Sequence, residues 1–133
     1  MTFLKIKSDE NLRAAEILIS KNLLASSIHC QYYSCFQLML DILHTSFNFD
    51  ENSLRDRIEN TIGKGLHVKY FNLFKSELST RKDPKFVNNL IADLKELKRN
   101  RTDADYSLVV IEELRCKNSQ QLCLKIVKTL NEI

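Results

Sequence analysis

The sequence predicts an all-α protein, an up-and-down bundle of four or five helices forming one domain over residues 1–133. Three observations predict it. Apolar residues recur at three- and four-residue intervals along most of the chain, the period of a half-buried helix. Two glycines and one proline leave almost nothing from which to build hairpins. Helix-start signals recur, most clearly Asp83-Pro84, an N-cap residue followed by a proline at the first helical position.

The first helix is expected to start at Ser8, an N-cap followed by Asp9 and Glu10 where the helix dipole favours acids. Leu12, Ala15, Ile19 and Leu23 line one of its faces, and Asn22 suits a left-handed C-terminal turn. A second helix follows from about Ala25 to Ser46, with Ile28, Tyr32, Cys35, Phe36, Met39 and Leu43 on its stripe. So short a connection makes the two antiparallel neighbours. Between Phe47 and Gly65, Asn52-Ser53 caps a possible short helix carrying Leu54, Ile58 and Ile62. The next helix spans about Leu66 to Thr80, with His67, Phe71, Phe74 and Leu78 on one stripe. The helix opened by Asp83 and Pro84 carries Phe86, Leu90, Leu94 and Leu97 and runs into an arginine-rich segment. A loop is expected around Asp103 to Lys117. Asn118 and Gln121, at capping-box spacing, then begin a last helix with Leu122, Ile126, Leu130 and Ile133 buried.

Composition narrows the function classes. A charged fraction of 28% with ordinary apolar content describes a soluble globular domain. No apolar run approaches the roughly 20 residues that span a bilayer. Met1 to Lys7 lacks a signal peptide's apolar core, so a cytoplasmic location without membrane contact is expected. The four cysteines form no CxxC pair and no His/Cys cluster at zinc spacing, so reduced, space-filling thiols are expected and no metal or cofactor. The net charge of +3 permits contact with RNA without dictating it. Clustering says more: Lys95, Lys98, Arg99 and Arg101 fall close together, with Arg81, Lys82 and Lys85 at the other end of the same element. Basic residues in a last helical turn also stabilise the helix, by about 0.3–1 kcal/mol each.

The segment Arg99-Asn100-Arg101-Thr102-Asp103-Ala104-Asp105-Tyr106 places two arginines, two aspartates and a tyrosine at the exit of a long helix. Together with Tyr32-Tyr33 and Phe36, with Gly65-Leu66-His67 followed by Phe71 and Phe74, and with the closing Ala104-Asp105-Tyr106, it resembles the HEPN domains in most of the chain and in the right order. These are small helical bundles found in prokaryotic RNase toxins and their nucleotide-handling relatives, and the likeness is greatest to a subfamily whose motif ends in Ala-Asp-Tyr. The resemblance implies a homodimer in which two motif helices meet in a shared basic cleft. It also implies binding of RNA or a nucleotide, metal-independent endoribonuclease activity, and a cognate nucleotidyltransferase antitoxin in a toxin–antitoxin or defence pair. Under it Arg99, Arg101 and Asp105 are the candidate catalytic residues, and Lys98, Asn100, Tyr106 and His67 the candidate binding residues.

Two registers fit the family's motif, in which an arginine is followed four to six residues later by a histidine. Aligning Arg99-Asn100 puts Ala104 where the histidine belongs; aligning Ala-Asp-Tyr makes Arg101 the motif arginine and Asp105 its polar partner. No imidazole follows in either, because His29, His44 and His67 all precede the motif. RNA cleavage without a metal needs a base for the 2′-hydroxyl, an acid for the leaving oxygen and a cation for the phosphorane. Arginine supplies the cation. Aspartate, with an unperturbed pKa of about 3.9, is a weak base at neutral pH.

Each feature has an architectural alternative. An Asp105 pair with Arg101 or Arg99 would fix a turn, with Tyr106 packing beside it. The motif would then belong to a non-catalytic, dimeric interaction or adaptor module. His67 suits a helix start or a core stripe, yet it is also the best candidate for an imidazole supplied from elsewhere in the fold. Tyr32-Tyr33 divides between core and interface, with base stacking the lesser use. Gly63-Lys64-Gly65 lacks the remaining glycine and the Lys-Ser/Thr ending of a phosphate loop.

Overall fold

In the computed structural model, which describes residues 2–133, six helices and no strand are present among those residues. The chain begins as a helical hairpin. Helix α1 (Phe3–Ser20) turns through Asn22, whose φ of 59° is the left-handed conformation that asparagine tolerates, into α2 (Leu24–Thr45). The pairs Thr2–Asp41, Ser8–Ser34 and Ala15–Ser27 run in opposite order along the two helices, so they are antiparallel. The start of α1 departs from expectation. Thr2 is the cap, accepting from the Lys5 backbone N–H, and Ser8 lies inside the helix, buried, donating to the Ser34 carbonyl. A serine that looks like a cap in isolation is here a tether between two helices.

Helix α2 is the centre of the fold, packed against α1, α5 and α6 and touching α3. All six of its expected stripe residues are buried. The short helix does form: α3 (Glu51–Glu59) is capped by Asp50 rather than by Asn52-Ser53, and it buries Leu54 and Ile58 while Ile62 lies beyond it, exposed. With α4 (Leu66–Ser79), which buries Phe71, Phe74 and Leu78, this brings the count above the expected four or five. Burying each such side chain contributes about 1.5–3 kcal/mol.

The largest departures come at the end of the chain. Helix α5 (Pro84–Tyr106), capped by Asp83, does not stop at the motif but carries all of it in helical form. Its core face reads Leu90, Leu94, Leu97, Arg101 and Ala104, so the arginine occupies the next stripe position after Leu97. An apolar pattern that ends at Leu97 hides this continuation. The connection to α6 (Glu113–Asn131) is correspondingly short, and α6 starts five residues before Asn118, which sits exposed within the helix. The buried positions of α6 are Cys116, Ser119, Cys123, Ile126 and Leu130. No helix among the described residues is long and apolar enough to cross a membrane.

Candidate functional site

Because α5 stays helical, the motif divides by face. Lys98, Arg101 and Asp105, at three- and four-residue spacing, share one face. Arg101 and Asp105 form an i,i+4 pair, Nη1 to Oδ2 3.6 Å. Asn100 and Asp103 look instead toward α6, where both accept from Arg115. Arg99 is exposed, roughly 200° around the helix from Arg101, and makes no ion pair among the described residues. Of the sequence candidates, Lys98, Arg101, Asp105 and His67 are brought together. Tyr106 adds an exposed ring 5.8 Å from the Arg101 guanidinium carbon, whereas Arg99 and Asn100 lie off this face.

Arg101 is the centre of the arrangement. It is 8% exposed, and its guanidinium carbon lies 5.1 Å from the Tyr32 ring and 5.7 Å from that of Tyr33. Aromatic faces and one carboxylate compensate part of the cost of burying the cation. Its Nε hydrogen is buried and has no hydrogen-bond partner among the described residues, and the side chain lines a hollow of about 170 Å³. Lys64, Gly65, His67, Val68 and Lys98 line that hollow with it. Gly65, at φ 87°, makes the turn into α4 that sets His67 at its edge.

Two imidazoles lie near the arginine, one in its hollow and one through Asp105. His67, from the first turn of α4, has Nδ1 2.6 Å from the Tyr32 hydroxyl and is stacked on Phe36 at 4.4 Å between centroids and 4° between planes. Burial, with Arg101 and Lys98 nearby, pushes His67 below the usual histidine range, so it is neutral at neutral pH. Burial pushes the Tyr32 phenol up, with Arg101 opposing, so its hydroxyl keeps its proton. His29, from α2, has Nδ1 2.8 Å from Asp105 Oδ2. Asp105 is therefore shared between Arg101 and His29. The two imidazole centroids lie 4.8 Å (His29) and 6.0 Å (His67) from that of Tyr33.

Sequence reasoning passed over His29. Its signal was present, since His29 precedes Tyr32 and Tyr33 by three and four residues and so shares their face of α2. What could not be read was the partner, 76 residues away on α5. Cys30, beside His29 and Asp105 in a second hollow of about 340 Å³, has its thiol pushed up by burial and by Asp105, the wrong direction for a nucleophile.

A wider groove, about 650 Å³, runs between α5 and α6 past Glu96, Asn100, Glu112, Arg115 and Lys125. Its cations pair internally, Arg115 with Asp103 and Lys125 with Asp93. No group of three metal-ligating side chains is assembled among the described residues. Comparison of the chain with protein-family models, with curated proteins and with solved structures finds no match.

Proposed function

We propose that this chain is a HEPN-like RNA-binding protein whose Arg101 hollow receives a backbone phosphate. The observation that carries the reading is Arg101 itself, a buried guanidinium with an unpartnered Nε donor at the edge of a hollow whose other charged side chains are Lys64 and Lys98. A phosphate in that hollow offsets the buried charge and takes charge-assisted hydrogen bonds that a neutral ligand does not. Tyr33, half-buried, and Tyr106, exposed, offer ring faces beside that phosphate for an unstacked base. Single-stranded RNA is the ligand class we favour. In this reading Arg101, Lys98 and Lys64 hold the phosphate, and Asp105 positions Arg101. The exposed Arg99 and the α6-bound Asn100 take no direct part within one chain. A cytoplasmic setting and a nucleotidyltransferase antitoxin as cognate partner belong to the same proposal, on the strength of the motif resemblance.

The test is fluorescence anisotropy with a labelled single-stranded RNA over a range of salt concentrations. Binding is expected to weaken with salt at a slope of about −0.7 per phosphate neutralised. Arg101→Met is expected to weaken binding tenfold or more, and Lys98→Ala to reduce the slope by roughly one contact. Salt-independent binding, or none, removes the proposal.

A second reading, a dimeric interaction module with a structural motif, has one observation in its favour. Tyr106, Leu108, Val109, Val110 and Leu114, around the α5–α6 connection, are all more than half exposed. Sedimentation equilibrium of the wild type and of Leu108→Asp/Val110→Asp checks it; a dimer is expected to dissociate in the variant.

A further inference from the structure

Resting on the RNA-binding reading, we infer that the backbone phosphate taken by the Arg101 hollow is the one at a strand end, a phosphomonoester and not an internal diester. A helix start at the hollow is the first ground for this. Besides Arg101, Lys98 and Lys64, the hollow is lined by Gly65 to Val68, the cap and first turn of α4. No side chain caps that helix, and the N–H groups of a first turn have no partners within their own helix. An uncapped helix N-terminus, a ready place for an anion, thus lines the same hollow as a buried guanidinium whose Nε has no partner among the described residues.

Charge then selects among phosphates. Arg101, Lys64 and Lys98 each bring a positive charge, and neither lysine makes an ion pair among the described residues. Asp105, paired with Arg101, offsets one of the three, and the α4 N-terminus adds roughly half a charge. An internal linkage carries a single negative charge and leaves more than one positive charge unmatched. A terminal phosphate carries about 1.5 to 2 negative charges at pH 7 and presents three strong acceptor oxygens. His67 adds a donor without a charge. The Tyr32 hydroxyl keeps its proton and lies 2.6 Å from Nδ1, so it donates there, and the neutral ring holds its own hydrogen on Nε2. The hollow is therefore rich in donors, and the phosphate with most free oxygens uses most of them.

Its volume fits a group and not a molecule. About 170 Å³ is well below the roughly 300–1,000 Å³ of pockets that enclose a whole small ligand. The phosphate enters while its nucleoside stays outside. There the rings of Tyr33 and Tyr106 lie 5.7 and 5.8 Å from the Arg101 guanidinium carbon, and the terminal base has a face to stack on. A strand end gains both the ionic contacts and the stack, whereas free phosphate gains only the first.

The experiment is anisotropy of one internally labelled single-stranded RNA in three forms: hydroxyls at both ends, a 5′-phosphate, or a 3′-phosphate. Each is titrated with the whole chain at pH 7.5 and one salt concentration. At least one phosphorylated form is expected to bind about tenfold more tightly than the hydroxyl-ended strand. Arg101→Met is expected to bring the three forms within about twofold of one another. Lys64→Ala, at an exposed position, is expected to shrink the preference several-fold with an unchanged circular dichroism spectrum. Three forms that bind alike overturn the inference and spare the RNA-binding reading, whereas absence of binding by all three overturns both. A preference that survives Arg101→Met puts the phosphate elsewhere and overturns the inference. Inorganic phosphate that displaces the phosphorylated strand at equal concentration overturns it too, because the ion alone is then the ligand.

Discussion

Two seams run along α2, and they are built on opposite terms. Toward α6 the helix is dry. Cys35 and Cys123 meet with sulfurs 3.7 Å apart, the Cys123 thiol lies 3.4 Å from the Gln31 carbonyl, and the Cys116 thiol reaches the Leu24 carbonyl. These three thiols are fully buried and free, and burial drives the Cys35 thiol well above the ordinary cysteine range. Toward α5 and α4 the same helix presents His29, Tyr32 and Tyr33 to a buried cation and a shared carboxylate. Small neutral groups meet along the first seam. The second assembles charge whose burial costs more than an apolar replacement would, and it leaves the Arg101 Nε unpaired. Both sides of α2 leave buried polar atoms unpaired among the described residues, Gln31 Oε1 with Ser119 Oγ and Gln120 Oε1 of α6 on one and Arg101 Nε on the other, but only the second encloses charge.

That contrast can be broken from either side. The largest effect is expected on the dry side: Ile126→Ala, at a fully buried α6 position, should cost about 2–5 kcal/mol in urea unfolding, with RNA affinity unchanged under conditions where the protein is folded. On the charged side the two partners should behave differently. Asp105→Ala strands the Arg101 cation and should cost about 1–3 kcal/mol, whereas Arg101→Met removes that cation, leaves Asp105 with His29, and should cost nothing or stabilise by about 1 kcal/mol. Equal destabilisation by both would make the pair architectural.

A smaller effect is expected from pH. The groups facing His67 are Tyr32, Tyr33, Phe36, Lys98 and Arg101, and its pKa is lowered in the folded state. The unfolded chain therefore binds the proton more readily than the folded one. The stability that His67 contributes is complete above the unfolded value of about 6.5 and is lost as pH falls through the folded value. Thermal melts at pH 7.5 and pH 5 should show this loss, and His67→Gln should reduce it. The smallest signal concerns access. In native protein a thiol reagent should modify only the half-buried Cys30, and slowly, while denaturant releases all four cysteines. Rapid native modification of Cys123 would mean that the dry seam opens.

The helix class and most core stripes were legible because a stripe needs only its own helix period, and the six α2 positions from Ile28 to Leu43 are all buried. Local signals failed where tertiary partners compete with them. Ser8 has the chemistry of a cap, but it lies within reach of the Ser34 carbonyl, so the helix starts at Thr2. The arginine motif was visible by its composition, yet reading it as a helix exit concealed that Arg101 takes the core position after Leu97. Asn118 has the spacing of a helix start, and nothing local reveals that α6 begins at Glu113.

By itself, then, the sequence determined an all-helical chain, most of the apolar core, and a cluster of cations and carboxylates near one helix end. Periodicity and caps are short-range, and a chain encodes them within a few residues. Only the tertiary structure decided which of two arginines is enclosed, since that depends on the rotation of α5 against α2 and α4. It also joined His29 to Asp105, and Tyr32 to His67 at one wall of the Arg101 hollow, from three helices far apart in the chain. Such juxtapositions are set by how several stripes pack at once, and no single stripe contains that information.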